Sequence, residues 1–195
     1  MKRAIMRNVQ NVIFLLFTFV SGVFYLCFYL VSIMLGLALS FTVVGIPLLT
    51  NVLRTTQTFV QYERIQTKIY TDISIEPLAM RQRAAGNQWK QAKAELTDER
   101  NWISIYWLMK KFVIGCICLV VGVLIYIAPV CFAIVPLLYH FIEINFLGSV
   151  VDSELKALQI MSLGFILMIG CSKIGNGLVK LIGGYTRLMF KAIRR

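Results

Sequence analysis

Charged side chains are scarce in this sequence. They make up 15% of the 195 residues, whereas hydrophobic residues make up 58% and the mean hydropathy is +0.76. A soluble domain contains about a quarter charged residues and about half apolar ones, so this chain has too little polar surface for a water-soluble globule. Because the apolar residues form long blocks, the composition predicts a single, all-α integral membrane domain.

Groups that perform catalysis or bind metals are also scarce. The chain has one histidine, His140, and none of its cysteines shows the C-x-x-C spacing of a structural zinc site. The H-E-x-x-H and P-loop motifs and a serine–histidine pair are missing too. We therefore expect no enzymatic activity, no cofactor and no metal site. The five cysteines lie in apolar blocks and are interpreted as reduced packing residues: Cys27, Cys116, Cys118, Cys131 and Cys171.

Charge is absent throughout residues 11–53. The basic segment before them is not followed by a small-residue cleavage site, and the apolar run is too long for a signal peptide. As one helix it would measure about 65 Å, twice the ~30 Å hydrocarbon core of a bilayer. We therefore predict two spans, 12–31 and 36–53, with a turn near Ser32–Gly36. A re-entrant loop is the alternative.

A proline falls within the second predicted span. Pro47 follows Gly45 and Ile46, and a proline inside a helix removes a backbone donor and kinks the helix. The sequence therefore predicts a hinge at Gly45 and Pro47.

The polar segment 54–111 is predicted to be cytoplasmic. Its first part is an amphipathic helix that lies on the inner membrane surface or packs against its neighbours, with an apolar face of Val52, Phe59, Tyr62, Ile65 and Ile69. A second helix is expected over part of Gln88–Leu96, and Thr97 or Asp98 is the expected N-cap of the next one. Aromatic residues beside Lys110 and Lys111 indicate a membrane–water interface.

Two further spans, 112–138 and 155–172, are predicted around an outer loop. A basic amphipathic helix, 173–195, follows the last span. Its basic stripe supplies candidate contacts to anionic lipid headgroups, namely Lys173, Lys180, Arg187 and Lys191, and its predicted apolar stripe is Ile174, Leu178, Leu181, Tyr185 and Leu188.

Basic residues follow the predicted topology. The net charge is +11, and of the 20 Lys and Arg residues only Lys156 falls in an outer segment. Because basic loops stay inside, we expect a multi-pass protein of a bacterial cell membrane with both termini in the cytoplasm. No nucleic-acid recognition module accompanies the charge, so the expected partner is the anionic inner leaflet and not a nucleic acid.

The two halves of the chain share a plan. Tyr62-Glu63-Arg64 with Lys68 aligns with Tyr185-Thr186-Arg187 with Lys191 after a shift of 123 positions. Each half reads as a membrane hairpin followed by a basic amphipathic helix. We therefore predict parallel repeats related by an axis along the membrane normal.

Particular residues carry a family resemblance. Gly45-Ile46-Pro47-Leu48-Leu49, then Arg54 and Glu63-Arg64, resemble the first half of the putative sensor domain of bacterial membrane histidine kinases. The second hairpin is similar at Asp98, Trp102, Tyr106, Leu108 and Gly115. The resemblance covers roughly Phe14 to Lys191 and implies a membrane-embedded sensory role. Since the sequence shows no phosphoacceptor helix and no nucleotide-binding box, we expect a free-standing sensor that acts through another protein.

Two smaller constellations allow more than one interpretation. His140 and Glu143 share a helical face and could form an external signal site, but a solvated outer loop is the preferred interpretation. Small residues at helical spacing, Gly115 with Gly122 and Cys171 with Gly175, favour close helix packing within the chain and are also compatible with a homodimer.

The leading functional hypothesis is a non-enzymatic membrane sensor or accessory subunit. It would detect a membrane-associated signal and pass it to a signalling or transporter protein. The alternatives are a small transporter or permease component of an export system, and a structural membrane organiser. A transporter typically places ionisable groups near the membrane midplane, and the predicted spans have none there, which argues against proton-coupled transport.

Overall fold

The described residues are helical, apart from two short paired strands. The computed structural model describes residues 2–42, 44–71, 73–78, 88–138, 145–146, 149–150 and 153–194. Its helices are α1 (Lys2–Ala38), α2 (Gly45–Thr71), α3 (Gln88–Thr97), α4 (Glu99–Leu138) and α5 (Glu154–Arg194), with a 3-10 turn at Leu39–Phe41. Two short strands, β1 (Asn145–Phe146) and β2 (Ser149–Val150), pair antiparallel between α4 and α5.

Three helices of the described chain are long and apolar enough to cross a membrane. They are α1, α4 and α5, so the structure does not confirm four spans. The predicted turn at Ser32–Gly36 is wrong, because both residues lie inside α1. The chain turns after Ala38, and only the first part of α2 is apolar before Arg54. Gly36 instead marks a close approach, since a Cβ there would lie 2.5 Å from Leu49 Cδ2.

The three long helices are longer than a bilayer is thick. They contain 37, 40 and 41 residues, which correspond to lengths of about 55–61 Å against a hydrocarbon core of ~30 Å. Each one is therefore longer than a perpendicular membrane crossing requires. The segment 173–195 is not a separate helix, because residues 173–194 form the second half of α5. The Gly183–Gly184 pair weakens helical propensity but does not end the helix.

The start of α2 explains the predicted hinge residues. Pro47 lies in the first turn of α2, where its missing N–H would have no helical partner anyway, so it does not kink the helix interior. Gly45 is buried, and a Cβ there would lie 2.2 Å from the Leu39 carbonyl oxygen. Both residues therefore shape the turn between α1 and α2. Whether that turn moves stays a prediction.

The start of α4 matches the sequence prediction. The Arg100 amide donates to Asp98 Oδ1 at 3.1 Å, so Asp98 is the N-cap, and its carboxylate satisfies one of the free amides of the first turn. The short helix predicted within Gln88–Leu96 is confirmed as α3.

Helix directions contradict the predicted parallel repeat. Along α1, Gly22 lies against Phe112 of α4 and Leu15 lies against Gly122, so the two helices run antiparallel. The contacts of α2 with α5 are antiparallel as well, since Thr67 bonds Thr186 whereas Thr71 lies near Gly183. The first residues of α1 and of α4 thus lie at opposite ends of the bundle. Residues 69–71 of α2 lie beside the first turns of α1, and the inner location of the N-terminus and of segment 54–111 stays a prediction.

The buried faces of α2 and α5 differ from those predicted. Of the predicted apolar face of α2 only Val52 is buried, and Tyr62 is 60% exposed. On α5 the predicted apolar residue Leu181 is 62% exposed, and Ile182 is buried instead. The residues that α2 directs inward include polar ones: Leu49, Thr50, Val52, Leu53, Thr56, Val60, Glu63 and Thr67. A helix with polar groups inside and apolar groups outside is typical of membrane bundles.

Two buried clusters hold the bundle together. One joins α1, α2, α4 and α5 through Tyr25, Val60, Leu108 and Met189. The other lies nearer the start of α1, where Phe14 and Leu15 meet Cys118 and Val179. A polar cluster lies between these two apolar regions.

Candidate functional site: a buried glutamate–lysine–tyrosine cluster

The centre of the bundle contains an ion pair. Glu63 of α2 and Lys111 of α4 have relative exposures of 2% and 3%. Lys111 Nζ donates to Glu63 Oε2, and Tyr25 of α1 donates through its hydroxyl to Glu63 Oε1 at 2.9 Å. Both carboxylate oxygens are therefore bonded, each to a different helix. We call these three residues the Glu63 cluster.

Glycine allows α1 to come close enough to complete the cluster. A Cβ at Gly22 would lie 2.8 Å from Phe112 Cα and 3.1 Å from the Lys111 carbonyl oxygen. Gly115 plays the matching part on α4, where a Cβ would lie 2.9 Å from Phe19 Cα. Small residues at these crossing points let the two backbones approach closely. Tyr25, one turn beyond Gly22, can then reach Glu63.

Hydroxyl pairs continue the polar contacts along the bundle. Tyr29 donates to Thr56 Oγ1 at 3.0 Å, and Thr67 donates to Thr186 Oγ1 at 3.1 Å. Tyr185 of α5 donates to the Trp107 carbonyl oxygen at 2.6 Å. Together with the Glu63 cluster, these bonds connect α1, α2, α4 and α5 through polar groups.

The energetics make the cluster sensitive to separation. Moving a carboxylate and an ammonium out of water costs several kcal/mol per ion, roughly balanced by their attraction when the geometry is good. Removing one partner leaves an uncompensated buried charge, which costs about 3–5 kcal/mol. A small relative movement of α2 and α4 therefore has a large effect on free energy. Such a cluster can hold one helix packing strongly against another.

The residues of this cluster are not among the site residues predicted from the sequence. Lys111 was interpreted as an interfacial lysine beside Lys110, but only Lys110 is exposed; its ammonium lies 5.7 Å from the Tyr106 ring centroid. Lys111 directly precedes the predicted span 112–138 and lies within α4, one of the three membrane-crossing candidates. One feature of the sequence marks this site: Glu63 is the first acidic residue in the chain, and all charged residues before it are basic.

The structure separates the predicted site residues. Gly45 lies in the α1–α2 turn, away from the cluster. His140 and Glu143 fall outside the described residues, so the external signal site stays a prediction. The candidate headgroup contacts Lys173, Lys180, Arg187 and Lys191 are all exposed on α5, which leaves them accessible to a membrane surface. Among the residues that the structure describes, no group of three or more His, Cys, Asp or Glu could hold a metal.

Long apolar helices around a buried polar cluster define this chain as a helical membrane protein. The pattern of the putative sensor family matches residues 14–190, so the chain belongs to that family and the predicted resemblance is confirmed. A search of curated proteins and a search of solved structures found no match.

Proposed function

We propose that this protein is a membrane sensor without catalytic activity of its own. It detects a membrane-associated signal as a change in helix packing and passes that change to a partner protein. Membership of the sensor family supports the sensory role. The Glu63 cluster is the single observation that carries the proposed mechanism.

The mechanism depends on the cluster joining three separate helices. Glu63, Lys111 and Tyr25 belong to α2, α4 and α1, so the bonds exist only when these helices hold one relative position. A signal that favours another packing must compensate for their loss. Shifting a population from 1:99 to 99:1 needs a change in free energy of about 5.5 kcal/mol. Breaking the Glu63–Lys111 pair costs about 3–5 kcal/mol, so the loss of this pair makes up much of the free energy that a signal must supply.

The outward faces of α2 and α5 are suited to carry the signal. They combine exposed apolar residues with basic ones, such as Ile65 beside Lys68 and Leu188 beside Lys191. Surfaces of this kind respond to bilayer charge and packing. We propose that the second half of α5 faces the inner leaflet and that its exposed face also contacts the partner.

Distance measurements between α1 and α4 test the sensor mechanism. Spin labels at Cys27, which is exposed, and at Val113→Cys, also an exposed position, would be placed in a chain with the other cysteines replaced. Pulsed electron paramagnetic resonance would then record distances in bilayers of different thickness and anionic lipid content. We expect two distances whose ratio depends on the bilayer, and a changed ratio in Glu63→Gln.

A matched control uses an exposed ion pair. Glu76 accepts from Arg194 at 3.0 Å, but its side chain is 82% exposed, so Glu76→Gln should leave the distance distribution unchanged. A single distance that is identical in every bilayer, for the wild type and Glu63→Gln alike, would exclude the packing mechanism.

The partner requires a separate test. A photo-crosslinking amino acid at the exposed position Arg187 on α5 should capture a protein in native membranes, whereas the buried position Phe190 should not. Failure of both positions to capture a protein, together with a purified complex that contains no second chain, would contradict signalling through a partner.

A further inference from the structure

A cleft of about 340 Å³ opens where three helices meet. It lies between the first turns of α1, the last turn of α2 and the middle of α5, away from the Glu63 cluster. Its lining is largely polar and includes Arg7, Gln10, Asn11, Tyr70, Asn176 and Lys180. The volume falls within the range of small-molecule sites.

The cleft has a built polar wall. Asn11 is 5% exposed and donates through Nδ2 to Asn176 Oδ1 at 2.9 Å. This bond ties α1 to α5 at the back of the cleft, and Tyr70 stacks on Phe14 beside it, with ring centroids 5.1 Å apart. The arrangement of the wall is therefore determined by packing and hydrogen bonding.

The described lining of the cleft carries positive charge. Arg7 and Lys180 both line it, and no Asp or Glu of the described residues does so. The segments that supply its α1 and α5 walls, residues 1–62 and 155–195, contain no acidic residue. Two cations that share one cleft repel each other, and an anion between them removes the repulsion. Arginine and lysine with nearby amides are suited to phosphate oxygens.

The rim of the cleft is apolar. Met6 and Ile69 line it and are 61% and 67% exposed, and the exposed Val9 and Ile13 follow on α1. A cationic cleft with an apolar rim matches an amphiphile whose phosphate enters while its acyl chains lie along the helices. A soluble phosphate compound would gain nothing from this rim.

We propose that this cleft binds the phosphate of an anionic ligand, with Arg7 and Lys180 as its charged contacts, and that an anionic phospholipid supplies it. This proposal adds a ligand class to the proposed sensor function. Only one part of it rests on that function, namely that occupancy of the cleft is the signal.

Binding is tested with the full chain in neutral detergent micelles. Thermal unfolding would be followed while dioctanoyl phosphatidylglycerol, dioctanoyl phosphatidylcholine or inorganic phosphate is added, since a ligand that binds the folded state raises the midpoint. We expect phosphatidylglycerol to stabilise the wild type most. Arg7→Gln and Lys180→Gln should each raise the apparent Kd at least about tenfold, because each removes a charge-assisted contact.

Control variants outside the cleft separate its effect from that of general charge. Lys90→Gln with Lys93→Gln removes two exposed cations of α3 that do not line the cleft, and should change the apparent Kd less than about threefold. Equal stabilisation by inorganic phosphate would assign a soluble phosphate as the source, which still supports the phosphate site. An absent response to phosphatidylglycerol, or an equal response of the wild type and both cleft variants, would overturn the proposal.

The two proposals fail in different ways. Loss of phosphatidylglycerol binding in Arg7→Gln without any bilayer dependence of the α1–α4 distance would support the cleft and contradict the sensor mechanism. If the α1–α4 distance depends on the bilayer and Arg7→Gln leaves that dependence unchanged, the sensor mechanism is supported and the signal is not the occupancy of the cleft.

Discussion

The Glu63–Lys111 pair leads to a sharp prediction about stability. Glu63→Gln keeps the shape of the side chain and an oxygen that accepts from Tyr25, but leaves the Lys111 ammonium buried without a counter-charge. Lys111→Met leaves the Glu63 carboxylate buried without a counter-charge. Each single substitution should lower the free energy of unfolding by about 3–5 kcal/mol, because an unpaired charge then lies in a site that is 97% shielded or more.

The double variant should be far less destabilised than the sum of the singles. Replacing a whole buried ion pair by uncharged groups of similar volume is often neutral or stabilising, so Glu63→Gln with Lys111→Met should lie within about 2 kcal/mol of the wild type. The coupling energy would then exceed about 3 kcal/mol, well above the usual range for exposed pairs. Tyr25→Phe should cost about 1.5–3 kcal/mol in the wild type, since it removes a hydrogen bond to a charged acceptor.

Reversible unfolding in mixed micelles, followed by circular dichroism, provides the measurement. Glu76→Gln, which breaks the exposed pair with Arg194, should change the free energy of unfolding by less than about 1 kcal/mol. Additive single substitutions, or a Glu63→Gln variant as stable as the wild type, would refute the buried pair as described.

Two further predictions test the packing of α1 on α4. Gly22→Ala should destabilise the protein by about 1–3 kcal/mol in the same unfolding assay, because its Cβ would lie 2.8 Å from Phe112 Cα. Gly170→Ala is the control, because a Cβ there meets nothing within 4 Å, and it should not destabilise the protein. Equal effects of the two substitutions would contradict the close crossing of α1 and α4. In a background without native cysteines, Leu15→Cys should form a disulfide with Gly122→Cys on mild oxidation, seen as a mobility shift after partial proteolysis. Leu15→Cys with Leu108→Cys should stay reduced, and the opposite result would indicate parallel helices.

Local signals in the sequence predicted local structure well. The helical class, α3, the Asp98 cap and the family follow from composition, capping chemistry and motif spacing. The turn was misplaced because Ser32 and Gly36 are tolerated inside a helix that packs against α2. Hydropathy alone does not reveal that a small residue serves a helix contact there and not a turn.

The candidate site depended on the orientation of helix faces. Sequence periodicity predicts an apolar stripe on α2, but it does not say which face of the helix is buried. The buried face combines Val52, Leu53 and Val60 with Thr56, Glu63 and Thr67, whereas Tyr62 of the predicted apolar stripe is 60% exposed. In a membrane bundle polar groups face the interior and apolar groups can remain outside.

The sequence by itself determined that this chain forms long apolar helices, that its charge is mostly basic and that it is a sensor-family member. These properties depend on composition and local spacing. Only the tertiary structure decided that α1 and α4 run antiparallel, that Lys111 pairs with Glu63 and that Arg7 and Lys180 share a cleft. Each of these contacts joins residues at least 48 positions apart along the chain, and their meeting depends on how whole helices pack, which no local pattern encodes.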